Sequence, residues 1–315
     1  MKKNKVVFMG TPDFAVPILE KLIEMVDVIL VVTQPDREVG RKKEIKFSPI
    51  KEVALKNNIN IFQPEKIRLD YEEILNVNPD MIVTCAYGQI IPEVVLNTPK
   101  YGAINVHASL LPKYRGGAPI HRSIINGDEK TGITIMYMDK GMDTGDMISK
   151  KEYDIKPTDN VGILHDKLSL IGAQLLEETL PSIFAGTNNR EKQNDANATY
   201  APVIKREDEI IDFNLSGKEI LNKIRGLNPW PLANFILNDK EVKVLEAEFV
   251  PSNIDKPGLI KILDKNNFAI SCKNGLIYLK SIKPNGKNIM NIKDYLNGID
   301  KDKVKKEGVI NNEKN

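Results

Sequence analysis

A chain of 315 residues is long enough for two domains, and its 41% hydrophobic content is that of an ordinary globular protein, which excludes a chain disordered throughout. No apolar run reaches the roughly eighteen residues needed to cross a bilayer, and the start M-K-K-N-K lacks the apolar stretch of a signal peptide, so we expect a cytoplasmic protein with no membrane partner. Cys85 and Cys272 are too few for a disulfide framework, and we expect both to be buried.

The net charge of +2 conceals an uneven distribution along the chain. Residues 256–315 contain 13 lysines and no arginine against 6 acidic residues. A basic end on a nearly neutral protein is typical of a polyanionic partner, although a solvated lysine-rich surface explains the same composition and is favoured when composition is taken alone.

The first half of the chain alternates short apolar runs with helical patterns. This alternation predicts an α/β domain with a Rossmann-like parallel sheet, whose ligands lie beyond the carboxyl ends of the strands. The G-T-P-D-F sequence after the first strand lacks the G-x-G-x-x-G fingerprint, which argues against a dinucleotide-binding dehydrogenase. The predicted strands are 5–9, 28–32, 60–62, 81–86, 103–106, 133–138 and 147–153, and the predicted helices are 14–25, 49–57 (capped by Ser48), 70–76 and 161–183.

The second half has a different texture. Residues 185–199 are polar and have little periodicity, as in a linker. After a helical pattern at 218–225, short strand patterns at 233–237, 242–249, 258–264, 268–272 and 276–282 are separated by turns, which is the spacing of a small β-barrel. We therefore expect a catalytic domain at 1–184, a linker at 185–205 and a C-terminal domain at 206–315.

The densest group of reactive side chains lies between residues 103 and 146. Asn105 and His107 stand two apart in a β-rich run, so both side chains point to one face. Asp143 follows in the Gly-flanked turn G-M-D-T-G-D, which can bring its carboxylate toward them. An amide can hold a developing oxyanion, an imidazole can move protons, and a carboxylate can charge the imidazole or hold a proton-relaying water. A lone histidine is usually structural, so the prediction of addition to a carbonyl depends on all three residues together.

Further motifs carry a resemblance to a known family. They are V-F-M-G-T-P-D-F-A-V-P at 7–17, T-Q-P-D-R at 33–37, A-Y-G-Q-I-I-P at 86–92 and L-N-P-W-P at 227–231, with N-V-H-A-S-L-L-P-K-Y-R-G at 105–116 and G-M-D-T-G-D at 141–146. Together they occur in an order that resembles the folate-dependent formyltransferases over nearly the whole chain.

The resemblance implies a reaction and its participants. A formyl group would pass from 10-formyltetrahydrofolate, the co-substrate, to an amine, with Asn105, His107 and Asp143 as the catalytic residues and with no metal. The three scattered histidines likewise form no metal-binding pattern by spacing. Among family members the match is nearest to those that act on methionyl initiator tRNA in the initiation of translation. We expect the protein to act as a monomer.

A folate site also follows from the resemblance. In the family the S-L-L-P segment after the histidine contacts the folate, where the leucines would pack against the pterin ring and the proline would fix the loop. The backbone of the A-Y-G segment would form another wall. The expected folate-binding residues are Ser109, Leu110, Leu111, Pro112, Ala86, Tyr87 and Gly88.

The stretch at 34–47 is basic and is predicted to be a long loop. In the family the corresponding loop reaches the acceptor end of initiator tRNA, where cations would grip phosphates; a mobile solvated loop is the alternative. The resemblance also makes the C-terminal barrel OB-like and tRNA-binding. The expected contacts in the basic stretch are Arg37, Arg41, Lys42, Lys43 and Lys46, of which Arg41 is the foremost.

Two other functions remain open at this point. The three catalytic candidates do not distinguish charged tRNA from a small amine such as glycinamide ribonucleotide or an amino sugar, but the basic stretch, the predicted barrel and N-P-W-P favour tRNA. The second alternative is a tRNA-binding protein with an inactive formyltransferase core, and the presence of all three catalytic candidates argues against it.

Overall fold

The computed structural model describes residues 3–39, 44–254, 256–299 and 304. It divides into two compact units whose main boundary, between Pro202 and Val203, lies inside the predicted linker. The first unit comprises Met1–Pro119, Lys130–Asp154 and His165–Pro202, and the second comprises Ile120–Glu129, Ile155–Leu164 and Val203–Asn315.

A seven-stranded sheet forms the centre of the first unit. Its strands lie in the order β5 (Asn60–Phe62), β2 (Asp27–Val32), β1 (Lys5–Gly10), β6 (Met81–Cys85), β7 (Ala103–His107), β8 (Lys130–Tyr137) and β9 (Met147–Asp154). The first five strands in this spatial order, from β5 through β2, β1 and β6 to β7, run parallel to one another, as predicted. β8 and β9 are added at one edge and run antiparallel to their neighbours. The connection at 138–146 is too short for the crossover that parallel neighbours require. Two further strands, β3 (Arg37–Val39) and β4 (Glu44–Lys46), lie outside this sheet.

Continuous apolar strands explain why this sheet is buried. Val6 to Met9 on β1 are inaccessible to solvent, and the whole of β6 is buried, as expected for parallel strands covered on both faces. The predicted cap at Ser48 is confirmed, because its side chain accepts from the backbone N–H of Lys51 at 3.1 Å. The α-helices of the chain up to Ala185 are α1 (Val16–Met25), α2 (Pro49–Lys56), α3 (Glu72–Asn76), α4 (Glu93–Leu96), α5 (Pro119–Ile125) and α6 (Val161–Ala185).

The basic stretch differs from its prediction as a long loop. β3 and β4 form an antiparallel hairpin in which Arg37 lies opposite Lys46 and Glu38 lies opposite Ile45. Backbone pairing between the two strands defines the hairpin, whereas the side chains of Arg37, Glu38 and Glu44 to Lys46 are exposed and carry no apolar alternation that would have predicted strands.

The second unit contains an antiparallel half-barrel of order β10-β11-β14-β13-β12, with β15 beside β14. This confirms the OB-like class predicted for the C-terminal part. Register shifts between Val244 and Ala247 interrupt the β11–β14 pairing, and such bulges bend and twist a strand pair. Its elements are α7 (Gly217–Gly226), β10 (Ala233–Leu237), β11 (Lys240–Pro251), β12 (Ile260–Leu263), β13 (Phe268–Cys272), β14 (Gly275–Pro284), β15 (Met290–Asn291) and α8 (Ile292–Asn297).

Aromatic side chains fill the core of the second unit. Phe213 and Phe235 meet edge to face at 5.8 Å between ring centroids, and Phe268 is fully buried in the same cluster. Ser216 caps α7 in a capping box with Glu219, which begins the helix that packs on β11. Within the described ranges, no helix combines the length and apolar character that a membrane span requires.

Candidate active site

The end of β7 carries the central pair of site residues. Asn105 and His107 alternate with the buried Ile104 and Val106, so their side chains share the other face of the strand. β7 pairs with β6 on one side and β8 on the other, which fixes the strand at both edges. Both side chains therefore lie at the carboxyl edge of the parallel strands, where ligands of α/β sheets bind.

His107 is only 6% exposed, and its two ring nitrogens have different surroundings. Nε2 lies 3.0 Å from the carbonyl oxygen of Tyr114. Because a carbonyl oxygen only accepts, this contact requires a proton on Nε2. Nδ1 faces the Asp143 carboxylate, with 3.7 Å between Nδ1 and Oδ2. Nδ1 is therefore the nitrogen that can gain or lose a proton without breaking the backbone contact.

Asp143 reaches the histidine from the loop between β8 and β9. Its backbone is left-handed, with φ of 54°, a region that aspartate enters more readily than most residues. The backbone N–H of Gly116 donates to Oδ2 at 2.8 Å and orients the carboxylate. The carboxylate is thus held in a fixed orientation toward His107 Nδ1.

The Asn105 amide is oriented by its neighbouring strand. Thr84 lies opposite Asn105 in the β6–β7 register, and its hydroxyl donates to Asn105 Oδ1 at 2.9 Å. Because the amide oxygen is engaged, the NH₂ group is turned away from Thr84, and it has no acceptor among the residues described. This leaves two N–H donors for a bound oxyanion.

The S-L-L-P segment follows directly after β7 and is closely held. Ser109 Oγ donates to the Lys113 carbonyl at 2.6 Å, and the Thr134 hydroxyl bridges the Ser109 carbonyl and the Leu111 N–H. Leu111 is packed in a small cluster with Met136 and Met147, and the Leu111–Pro112 peptide is cis. Leu110 is partly exposed and approaches Gly132, where a Cβ would lie 2.7 Å from Leu110 Cδ2.

The A-Y-G segment leaves β6 at the same edge of the sheet. Ala86 and Gly88 are exposed and have φ of 49° and 87°, whereas the Tyr87 side chain is buried. The Tyr87 carbonyl accepts from Thr11 Oγ1 at 3.2 Å and from Gln34 Nε2 at 3.0 Å. Burial raises the pKa of the Tyr87 phenol to about 12, so it stays neutral. Ala86 and Gly88 are thus the exposed residues of this segment on either side of a buried tyrosine.

The described part of the basic hairpin is open to solvent. Arg37 is 67% exposed and pairs with Glu65 at 3.2 Å, and Lys46 is exposed on the opposite strand. At the base, Asp36 binds the Lys51 ammonium, and Gln63 Nε2 donates to Asp36 Oδ1 at 3.0 Å. The other predicted contacts, Arg41, Lys42 and Lys43, lie outside the described residues.

Sequence reasoning missed two residues beside the site. Arg115 is 3% exposed and donates to Gln193, and the Gln193 amide in turn donates to the carbonyl oxygens of Asp143 and Gly145. Arg115 lies within the N-V-H-A-S-L-L-P-K-Y-R-G motif, which gave it no role. Gln193 lies in the polar stretch predicted as a linker, where no periodicity marks it.

Other reactive side chains have structural surroundings. Cys85 and Cys272 are both buried, as predicted, and burial raises the pKa of the Cys85 thiol. His165 meets Phe14 edge to face at 5.2 Å. Trp230, from N-P-W-P, is 43% exposed and meets His121 edge to face at 6.1 Å. Among the described side chains, no group of three or more His, Cys, Asp or Glu could hold a metal ion.

Comparison with known proteins shows which protein family this chain is similar to. A model of the formyl transferase family matches residues 3–180, and a model of the formyl transferase C-terminal domain matches residues 203–300. The methionyl-tRNA formyltransferase of Bacillus subtilis is 51% identical over 317 residues, covering 99% of this chain and 100% of the relative. That of Staphylococcus epidermidis is 51% identical over 306 residues, covering 96% and 99%.

Solved structures show the same architecture. An N-formyltransferase from Helicobacter canadensis, in complex with folinic acid and dTDP-3-aminofucose, is 22% identical with a TM-score of 0.67, covering 89% of this chain and 99% of that one. At this identity the likeness shows the fold alone. The two matched domains and the near full-length relatives show more: this chain belongs to the formyl transferase family.

Proposed function

We propose that this chain transfers a formyl group from 10-formyltetrahydrofolate to the amino group of methionyl initiator tRNA, for the initiation of translation. The observation that carries the proposal is the arrangement at the end of β7. There the NH₂ group of Asn105 and the imidazole of His107 lie on one face of the strand, and the Asp143 carboxylate faces Nδ1 of that imidazole. The relatives at 51% identity, which are methionyl-tRNA formyltransferases, supply the acceptor.

His107 handles the protons of the reaction. An ammonium group cannot attack a carbonyl, so the amine must be neutral when it attacks. Addition then leaves one proton too many on the attacking nitrogen, and the leaving folate nitrogen must gain a proton, so one group that takes the first proton and gives one up serves both steps. Nδ1 is suited to both steps, because Nε2 stays bonded to the Tyr114 carbonyl throughout. Asp143 stabilises the imidazolium between the two steps, or holds a water that relays the proton.

Asn105 stabilises the charge that develops on the carbonyl oxygen. An oxyanion donor is effective when it is fixed before the reaction, because no reorganisation is then needed. The Thr84 hydroxyl fixes the amide by occupying Oδ1, which aims the NH₂ group away from the sheet neighbour. The arrangement fits an oxyanion site rather than a structural amide, whose NH₂ group would be bonded within the protein.

The folate supplies the formyl group when it is bound. The residues at the edge of the sheet fit a flat, polar heterocycle, because the exposed Ala86 and Gly88 can offer backbone hydrogen-bonding groups and the partly exposed Leu110 can offer an apolar surface. We assign the folate to the predicted set of Ser109, Leu110, Leu111, Pro112 and Ala86 to Gly88. Leu111 supports this segment from the core, since its buried side chain packs with Met136 and Met147.

The basic hairpin and the C-terminal unit bind the tRNA. Exposed cations such as Arg37 and Lys46 suit a polyanion, because each phosphate contact releases counterions. We assign Arg41, Lys42 and Lys43 to the same role from the family resemblance. The protein is expected to act as a monomer in the cytoplasm.

The proposed function is tested by measuring formyl transfer from 10-formyltetrahydrofolate to three acceptors: charged initiator tRNA, charged elongator methionyl-tRNA and glycinamide ribonucleotide. We expect rapid transfer to initiator tRNA and slow or no transfer to the other two. Transfer to the small amine alone would leave the catalytic assignment intact and overturn the acceptor.

A further inference from the structure

The segment that follows α6 is bonded to both loops that carry the site. Near its beginning, Met147 and Glu191 exchange backbone hydrogen bonds of 2.8 and 2.9 Å. Near its end, the Arg115 N–H donates to the Thr199 carbonyl at 2.9 Å, and the Ala201 N–H donates to the Arg115 carbonyl at 2.7 Å. The segment is thus fastened to the start of β9 and to the stretch that contains Tyr114 and Gly116.

Gln193 lies between these two attachments and contacts the Asp143 loop. Its side-chain nitrogen donates to the Asp143 carbonyl at 2.7 Å and to the Gly145 carbonyl at 2.9 Å. Both N–H groups of the Gln193 amide therefore donate to backbone carbonyls of the same loop, the one between β8 and β9. Asp143 has a positive φ, a conformation that surrounding contacts must maintain, and Gln193 supplies two of them.

Arg115 determines which way the Gln193 amide points. Arg115 Nε and Nη2 donate to Gln193 Oε1 at 3.0 and 2.9 Å, and Nη2 also donates to Asp195 Oδ1 at 2.7 Å. Because the arginine side chain has only hydrogen-bond donors, it must face the amide oxygen of Gln193 and not its NH₂ group. The Gln193 nitrogen is thereby directed at the Asp143 loop.

The residues on either side of Arg115 touch both members of the acid–base pair. The Tyr114 carbonyl contacts His107 Nε2 at 3.0 Å, and the Gly116 N–H donates to Asp143 Oδ2 at 2.8 Å. One short stretch therefore holds the imidazole and the carboxylate, and through Gln193 it also holds the backbone of the loop from which the carboxylate projects.

We propose that Gln193, oriented by Arg115, is a positioning residue that sets the Asp143 carboxylate against His107. The proposal rests on the proposed function, because it assigns Gln193 to the transfer step through Asp143. Nδ1 and Oδ2 are 3.7 Å apart, so a small shift of the loop changes their interaction strongly. Misplacement of a catalytic group by about 1 Å can cost on the order of 100-fold in rate.

The test compares variants of Gln193 in steady-state formylation of charged initiator tRNA. Gln193→Leu removes both donors at similar volume, and we expect kcat to fall by roughly 10- to 100-fold with KM for tRNA nearly unchanged. Gln193→Glu keeps an oxygen for Arg115 but places a carboxylate oxygen against the carbonyl oxygens of Asp143 and Gly145. We expect its loss in kcat to be at least as large as that of Gln193→Leu. Lys192→Ala, at the exposed neighbour, is the matched control and keeps full activity.

A double variant separates positioning from a general structural role. If Gln193 acts through Asp143, then adding Gln193→Leu to Asp143→Asn costs little more than Asp143→Asn alone. An equal fold-loss in both backgrounds, or a Gln193→Glu variant with wild-type kcat, would overturn the proposal. If Gln193→Leu fails to fold, Gln193→Glu decides the matter. Failure of the wild type to formylate tRNA would instead contradict the proposed function.

Discussion

The catalytic edge of β7 and the basic hairpin of β3 and β4 belong to the same unit but are built in opposite ways. His107 is 6% exposed and both of its ring nitrogens face protein oxygens, whereas Arg37 is 67% exposed and pairs with an equally open glutamate, Glu65. Exposed ion pairs contribute little to stability, so the hairpin keeps its charges available to a ligand. We therefore propose that the core preorganises the side chains that carry the chemistry, whereas the exposed charges of the hairpin capture a polyanion.

The largest expected effect comes from breaking the preorganised region at its centre. His107→Ala removes the group that exchanges protons, and we expect kcat to fall by roughly 100- to 10,000-fold. Steady-state formylation at saturating tRNA measures the loss. tRNA binding should stay near wild type, and His165→Ala, at a histidine that packs on Phe14, serves as the control. A His107→Ala variant with most of its activity would remove His107 from the mechanism.

Asn105→Ala removes the oxyanion donor while leaving the imidazole in place. We expect about a 100- to 1,000-fold loss in kcat with little change in KM, as for other oxyanion-site donors. Thr84→Val, which removes only the hydroxyl that orients the amide, should cost less than Asn105→Ala. If Thr84→Val costs more than Asn105→Ala, the hydroxyl acts by another route and the oxyanion assignment fails.

Sequence reasoning succeeded where the relevant signal is local. The spacing of Asn105 and His107 is enough to place both on one face of a strand, and Ser48 followed by Pro49 is enough to begin a helix. The β-branched runs likewise predicted the parallel strands of the sheet. These features depend on neighbours within a few residues, so they can be predicted from sequence alone.

Features that depend on distant partners were missed for the opposite reason. The strands at 37–39 and 44–46 carry charges rather than alternating apolar residues, and only their pairing with each other makes them a hairpin. Gln193 contacts a loop fifty positions away along the chain, and nothing in its own neighbourhood indicates this. The antiparallel direction of β8 and β9 also depends on pairing rather than on composition.

The hairpin should behave differently from the catalytic edge when it is altered. Arg37→Ala combined with Lys46→Ala, and separately Arg41→Ala, should raise KM for tRNA several-fold and reduce the salt dependence of binding by roughly one unit of slope per lost phosphate contact. kcat at saturating tRNA should change little. Lys130→Ala, at an exposed lysine of β8 that pairs with Glu152, is the control. Unchanged KM and salt slope would remove the hairpin from tRNA capture.

The smallest expected effect concerns the anchor at the base of the hairpin. Hydrogen bonds from Lys51 and Gln63 hold the pKa of the Asp36 carboxyl below its ordinary value. A lowered folded-state pKa means that the contribution to stability is present above the unfolded pKa, about 3.9, and is lost as pH falls through the folded pKa. Asp36→Asn should therefore lower Tm by roughly 2–4 °C or less at pH 7 and by less in acid. An equal deficit at both pH values would contradict the assigned cause.

The most direct test is a comparison of kcat and KM for charged initiator tRNA among the wild type, His107→Ala and the Arg37→Ala/Lys46→Ala double variant. The structure predicts that His107→Ala loses kcat at every tRNA concentration, whereas the hairpin variant recovers wild-type rate once tRNA is saturating. A hairpin variant that loses kcat at saturation, or a His107→Ala variant rescued by more tRNA, would contradict the division between a preorganised catalytic edge and a solvent-exposed capture surface.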